Sequence, residues 1–418
     1  MDCRKRVLNA EGMSSWPEVL VRIAGRRLVW YVACGLALTA IASSLISARS
    51  LADSGGLSGL PADAIEIPGS GAGPPQLVFA CELATNQLEF LFSNPSVIAD
   101  LKNLKASLSL AITDLSPGRA GVARQLNEAG IPVTAWLVLP KDQGYFLNAG
   151  NASEAVARFT EFDNWTANYG LRWASVGLDV EPNFREIHML TQGHPWRLAP
   201  VLIRRSLDSE RVRRATEAYT GLIKQIQGRG YPVETYQFPF IADERRAHST
   251  LLERLLGMVD VRGDHEALMI YTSFQHTLGA SVIWEYGSDA QVIVVGSTGG
   301  NSELDSNFAP LNWDELSRDL LVARHFTDTI GVYSLEGCLR QGFLPRLKTM
   351  NWRQSVTLPA ESVRKAALLR TKIRFALWAG SRLLYFAFAT IAVIAWLIWR
   401  RQIRKRGIAQ KSLGPAVP

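Results

Sequence analysis

From Arg364 to Pro418 the chain contains no aspartate or glutamate. Twelve lysines and arginines occupy that stretch, and residues 1–27 hold six basic against three acidic side chains. Of the 45 basic and 38 acidic residues in the whole sequence, 27 basic and 35 acidic therefore remain in residues 28–363. The overall charge of +7 belongs to the ends, and the central region is acidic. Lacking a basic surplus, that region is poorly suited to neutralise phosphates, which argues against a nucleic-acid partner. Phosphate loops are missing too. Gly296-Ser297-Thr298-Gly299-Gly300 has no Walker lysine and misses a Gly-x-Ser-x-Gly elbow by one position. Asp264-His265-Glu266 has no second histidine at helical spacing, and His188 and His194 read as surface loop residues. No metal and no cofactor is expected. Cysteine is scarce at four: Cys3, Cys34, Cys81 and Cys338.

What the sequence does have is apolar length. Hydrophobic residues make up 47% and mean hydropathy is +0.04. Two uncharged runs account for this. Residues 28–47 match the roughly 20 residues that span a bilayer, and residues 383–399 approach the lower limit of about 17, with Tyr385, Trp396 and Trp399 as interfacial aromatics. Basic residues precede the first run, so the positive-inside rule places residues 1–27 in the cytoplasm and the central domain on the periplasmic or extracellular side of a cell (inner) membrane. Residues 400–418 form a second cytoplasmic basic tail. A leader cleaved near Ser50-Leu51-Ala52 is the alternative to an uncleaved anchor. One group conflicts with the rule: Arg364, Lys365, Arg370, Lys372, Arg374 and Arg382 precede the second run on its outer side. Residues 364–382 are accordingly expected to form a basic amphipathic helix at the interface. Residues 48–75 are rich in Gly, Pro and Ser and are expected to be a linker holding the domain off the membrane.

Between these ends, short apolar runs alternate with helical patterns, the mark of parallel βα units. The runs are Leu77–Cys81, Ser107–Thr113, Val133–Leu139, Ala174–Val180, Val233–Phe238, Ala267–Thr272, Val292–Val295 and Thr329–Ser334. Eight of them in residues 76–350 predict a (β/α)8 TIM barrel flanked by an N-terminal and a C-terminal transmembrane helix. A doubly wound open sheet is the alternative, but its glycine-rich first turn is replaced here by Glu82-Leu83-Ala84-Thr85. Closure would bring the first and last strands together. Cys81 and Cys338, assigned to those strands, are then either a disulfide across the seam or two buried thiols.

Barrel chemistry sits at strand C-terminal ends. Those ends carry Glu82, Asp114, Lys141 and Asp142, Asp179 and Glu181, Gln237, Tyr271, Ser297 and Asn301, and Glu336. Asp179 and Glu181 are two residues apart in Gly177-Leu178-Asp179-Val180-Glu181-Pro182, so in extended chain they project to one face. Two adjacent carboxylates push one pKa upward, giving the one protonated and one ionised acid that glycosidic cleavage uses. The structural reading of such a pair is a strand end salt-bridged to arginines. Trp136, Tyr145, Phe146, Trp196, Tyr236, Phe238 and Trp284 are candidates for stacking on sugar rings, with at least half expected to be packing.

Asp179-Val180-Glu181 at the fourth strand and Met269-Ile270-Tyr271 at the sixth resemble the Asp-x-x-Asp-x-Asp-x-Glu and Met-x-Tyr motifs of family-18 glycoside hydrolases, the chitinase-like barrels. The upstream aspartates are replaced by Ala174 and Gly177, Val180 stands where an aromatic is usual, and Glu336 stands where a tryptophan floor is usual. Leu178-Asp179-Val180-Glu181-Pro182 is also similar to the acidic strand of family-25 lysozyme-type muramidases. The resemblance implies Glu181 as general acid, with Asp179 and Tyr271 assisting at an acetamido group or the oxocarbenium ion. Glu82, Asp114, Trp136, Gln237 and Glu336 are expected to bind substrate, and Glu82 or Glu336 would supply the second carboxylate for a sugar without an N-acetyl group. The expected function is a membrane-anchored hydrolase acting on a cell-envelope or extracellular polysaccharide. The alternatives are a catalytically silent barrel that binds polysaccharide or scaffolds an envelope synthesis or export complex, and unrelated chemistry on the same fold.

Overall fold

The computed structural model describes residues 64–69, 73–183, 195–300, 308–382 and 390–400. The expected first span, the two tails except Arg400, residues 383–389 of the second apolar run, His188, His194 and Asn301 lie outside the described residues. Among the described residues no helix is long and apolar enough to cross a membrane.

A short strand, β1 (Ala64–Ile67), precedes eight parallel strands, and another, β10 (Val356–Pro359), follows them. The eight are β2 (Gln76–Cys81), β3 (Ser107–Ile112), β4 (Val133–Leu137), β5 (Ser175–Asp179), β6 (Val233–Gln237), β7 (His265–Tyr271), β8 (Val292–Gly296) and β9 (Thr329–Tyr333). Each pairs in parallel with the next, and β9 returns to β2 through Leu77↔Ile330, closing the barrel. All eight expected strands are present within two residues at each end. They were readable because barrel strands are buried on both faces and so appear as continuous apolar runs.

Alternation divides the side chains. Phe79, Leu108, Leu110, Val176 and Leu178 point out and pack under the helices, which forms the main core. The opposite positions point into the lumen, where a smaller cluster of Ala111, Trp136, Val138, Met269, Val294 and Tyr333 sits near the C-terminal end. Deeper in the lumen the lining is polar. Glu234 accepts from Ser175 Oγ at 2.6 Å and Thr134 Oγ1 at 3.1 Å, and Tyr236 Oη donates to its other oxygen at 3.0 Å. Ser109 Oγ stands 2.9 Å from the same Tyr236 hydroxyl. Barrels of this type usually fill the lumen with branched aliphatic layers. Here a cavity of about 240 Å³ remains, lined by Ser109, Trp136, Asp179, Tyr236 and Tyr271 among others.

Helix starts follow local chemistry. Asn94 accepts from Ser96 N ahead of Pro95, Ser116 accepts from Arg119 N ahead of Pro117, and Asn312 with Glu315 forms a capping box. Asn151 precedes helix Ala152–Tyr169 without capping it; its side chain accepts from Asn148 N at 2.7 Å and shapes the loop.

Three differences from the sequence reading concern the ends. Within the segment expected to be linker, Ala64–Ile67 pairs antiparallel with Val356–Pro359, and Ile67, Val356 and Leu358 join the core. Second, residues 364–381 belong to helix Ala360–Ser381, which packs on helices Phe240–Ala247 and Ser281–Tyr286 of the barrel wall. Its inner face is charged: the buried Arg370 guanidinium pairs with Asp243 at 2.8 Å and with Asp289, and lies 4.2 Å over the Tyr286 ring. Arg374 approaches Asp243 at 3.9 Å. Two of the charges that conflicted with the positive-inside rule are thus matched by barrel acids. Third, Cys338 sits in helix Leu335–Arg340 and not in the last strand, and it and Cys81 are free, buried thiols.

Candidate active site

Asp179 closes β5 and points into the lumen. The extended path continues past it: Leu147 N donates to Asp179 O at 3.0 Å, Glu181 N donates to Leu147 O at 3.0 Å, and Val180 bridges Leu147. This ladder preserves the two-residue parity, so Asp179 and Glu181 fall on one face. The Glu181 carboxyl lies against Asp179 within hydrogen-bonding reach. Trp136 Nε1 donates to Asp179 Oδ2 at 3.1 Å. Asp179 is 2% exposed and Glu181 5%, and among the described residues no arginine or lysine pairs with either.

Burial raises both carboxyls well above the usual range. The nearby charge of Glu82 raises Asp179 further, and the charges of Asp179 and Glu82 raise Glu181 further. Glu82 itself is gripped by two phenols: Tyr145 Oη donates to Oε1 and Tyr333 Oη to Oε2, each at 2.6 Å. Tyr145 follows Gly144 (φ 107°) and itself has φ 64°, a left-handed conformation uncommon for a bulky residue. That turn aims its hydroxyl at Glu82. Glu336 completes the group, with Oε1 accepting from Glu82 N at 3.4 Å. Burial pushes the Glu336 carboxyl up to about 7, and the Glu82 charge adds to the rise. The frame beneath is set by two buried arginines. Arg119 donates to the carbonyls of Ala111 and Leu83, and Arg158 to those of Ile112 and Val138, so strand ends β2 to β4 are fixed from the helix side.

The residues singled out in the sequence divide clearly. Glu82, Trp136, Asp179, Glu181 and Glu336 gather at the C-terminal mouth, and Tyr271 lines the same lumen with its ring 5.6 Å from that of Tyr333. Gln237 does not join them. Its side chain turns to the helix layer and donates to Val261 O at 2.6 Å, because residue 237 has the opposite parity to the inward Glu234 and Tyr236. Asp114 is spent on local structure, accepting from Thr85 Oγ1 at 2.5 Å and Ser116 N at 3.0 Å. Partial burial works to raise its pKa, but those bonds and the Arg119 charge outweigh it and hold it at about 2. Of the aromatic candidates, Trp284 packs on His325 and Phe326, and Phe238 on Phe240. Tyr333 was missed. Its signal was parity with Thr329 and Gly331, the inward positions of β9.

The donor set is all carboxyl, phenol and indole. Among the described residues no group of His, Cys, Asp and Glu is arranged to hold a metal ion. Such a set can donate and accept protons and can hydrogen-bond hydroxyl groups.

No family model matches the chain, and no curated protein matches it. Solved structures with a similar chain path include a GH18 chitinase from Pseudoalteromonas aurantia (9% identity, TM-score 0.39), covering 66% of this chain and 99% of that one. A sugar phosphate isomerase/epimerase from Parabacteroides distasonis (11%, TM-score 0.35) covers 68% and 97%, and an AP endonuclease, family 2, from Brucella melitensis (12%, TM-score 0.34) covers 63% and 96%. At these scores the similarities carry no argument about chemistry. The barrel itself rests on the strand pairing described above.

Proposed function

We propose that this chain is a membrane-anchored, glycoside hydrolase-like barrel acting on a cell-envelope or extracellular polysaccharide. The observation that carries the proposal is the Asp179–Glu181 pair: two carboxyls on one face of a strand end, buried, unmatched by a described cation and driven toward the protonated form. Glycosidic cleavage needs an acid that still holds its proton near neutral pH. Glu181 fills that role and protonates the leaving oxygen. Asp179, oriented by the Trp136 indole, faces the acetamido group or the positive charge that develops on the sugar. Tyr271 adds a hydroxyl from the neighbouring side of the lumen. For a sugar without an acetamido group, Glu82 is the second carboxylate, since both its oxygens receive phenolic hydrogen bonds. The residues 28–47 and 383–399 anchor the barrel, with its mouth on the outer side of the membrane.

The test is sugar release by the full chain on a panel of envelope and extracellular glycans. Glu181→Gln is expected to cut turnover by about 10²–10⁴-fold, the usual worth of a positioned general acid. Turnover unchanged in that variant removes Glu181 from the mechanism. The near-complete enclosure of both carboxyls favours a second reading, a barrel that binds polysaccharide without cutting it or holds an envelope complex together. Glycan binding by wild type and Glu181→Gln alike, with no release by either, selects that reading.

A further inference from the structure

We propose that the barrel does not stand off the membrane on its linker but lies directly against it, through the outer face of helix Ala360–Ser381, on a bilayer with anionic headgroups. The proposal rests on the anchoring half of the functional reading and is independent of the hydrolase half.

The first argument is reach. The helix is fixed to the barrel wall along its length: Val363, Ala366 and Leu377 are buried, Arg370 is locked between Asp243 and Asp289, and Arg382 donates to Ala247 O at 3.4 Å. A methyl group on Gly380 would fall 2.5 Å from the Leu251 side chain, so the last turn also touches the wall. The apolar run starts at Leu383. An extended residue adds at most about 3.6 Å, so the wall near Ala247 and Leu251 can stand only on the order of 10 Å from the point where that run enters the bilayer. The other end of the barrel gives no more freedom, because β1 is paired with β10, the strand that leads into the same helix.

The second argument is the exposed face. Arg364, Leu368, Lys372, Phe375 and Trp378 recur at helical spacing on the side away from the barrel. Leu368, Phe375 and Trp378 are 55%, 67% and 40% exposed. Phe375 stacks on Trp378 with ring centroids 6.0 Å apart, and the Arg382 guanidinium lies 5.1 Å over the Trp378 ring. Lys365 is paired with Glu361 at 2.8 Å, and residues 364–382 themselves contain no acid. Aromatic residues toward the apolar run and cations behind them match an interfacial helix over anionic lipid. Helix residues 390–400 continue the trend, with Ile391, Ile394, Leu397 and Trp399 all exposed. Both faces are mixed: the buried one sets Arg370 among Val363, Ala366 and Leu377, and the outer one sets Leu368, Phe375 and Trp378 among Arg364 and Lys372.

The experiment uses the full chain, with Cys3 and Cys34 changed to serine, as one copy per nanodisc containing phosphatidylglycerol. Spin labels are placed singly through Leu368→Cys, Phe375→Cys, Ile394→Cys and, as an aqueous reference, Phe90→Cys, which replaces an aromatic 81% exposed on helix Thr85–Phe92. Collision with oxygen is compared with collision with a water-soluble nickel chelate. Oxygen is expected to dominate at 368, 375 and 394, and the chelate at 90. A lipid pattern at 394 with an aqueous pattern at 368 and 375 overturns the docking alone. An aqueous pattern at 394 overturns the anchor and the docking with it. Exclusion of both reagents at 368 and 375 shows a protein partner on this face and also overturns the proposal.

Discussion

Gly177 offers a sharp test of how the lumen is packed. A Cβ at this position would sit 2.6 Å from Tyr236 Cε2 and 3.3 Å from its hydroxyl. The ring cannot give way freely, because its hydroxyl is tied to Glu234 at 3.0 Å and to Ser109 at 2.9 Å. Gly177→Ala must therefore displace the ring. Overpacking in a close-packed interior costs about 1–3 kcal/mol, and weakening a buried hydrogen bond to a charged partner costs about 1.5–3 kcal/mol. A combined loss of about 2.5–6 kcal/mol is expected, which for a domain of this size lowers Tm by about 5–15 °C. Gly121→Ala is the control. It lies in helix Pro117–Glu128 with nothing within 4 Å of the new methyl, so it should be neutral or stabilise by up to about 1 kcal/mol. Pairing Gly177→Ala with Tyr236→Leu should recover part of the loss, since the two positions share one space. Thermal unfolding of the detergent-solubilised chain, followed by circular dichroism, reads all of these. A Gly177→Ala protein that melts with the wild type refutes the packing argument.

Two further outcomes follow from the charges. Arg370→Met leaves Asp243 and Asp289 without their shared cation and is expected to cost about 3–5 kcal/mol, read from the urea midpoint; a loss below about 1 kcal/mol would show the helix is held by apolar contact alone. Glu336 binds its proton more tightly folded, at about 7, than unfolded, near 4.5, so its contribution is full below the unfolded value and is lost as pH rises through that window. Glu336→Gln should flatten the fall in stability between those pH values by about 3 kcal/mol, and an unchanged pH profile contradicts it.

How much of this was legible depended on whether the determining contacts were local. Each barrel strand carries its own signal, since burial on two faces leaves an apolar run whatever its partners are. The Asp179–Glu181 pair was legible for a related reason: two-residue parity is a property of one strand, and the Leu147 ladder merely preserves it. Gln237 shows what position alone misses. Being at a strand end does not say which face a residue takes, and parity with Tyr236 assigns it to the helix side. Asp114 was lost to a turn two residues away, where Ser116 and Thr85 use its oxygens. The strand at Ala64–Ile67 had no local signal because its partner is β10, nearly the whole barrel away in sequence. For helix Ala360–Ser381 the basic amphipathic pattern was legible but its inner partners were not: Arg370 pairs with Asp243 and Asp289, which only the folded wall brings together.

The acids at the mouth form a single electrostatic unit more than a set of separate side chains. Two phenols fix Glu82 by both its oxygens, and its charge then acts on Asp179, Glu181 and Glu336 alike. Burial alone would raise each of the three; burial beside one pinned anion raises them together. A group of this kind releases its protons at higher pH than solvated carboxyls do. That is a costly arrangement for stability, since it makes the fold weaker as pH rises. Salt-bridging the acids would remove the cost, and the chain has the means, as Arg119, Arg158 and Arg370 are all buried elsewhere in the same barrel. The first two are aimed at strand-end carbonyls and the third at the outer wall, and none reaches Asp179 or Glu181. These three cations brace the frame and do not pair with Asp179 or Glu181. Buried carboxyls at the mouth that pair with no described cation are the feature on which the proposed hydrolase reading depends, because protonating a glycosidic oxygen requires an acid that keeps its proton.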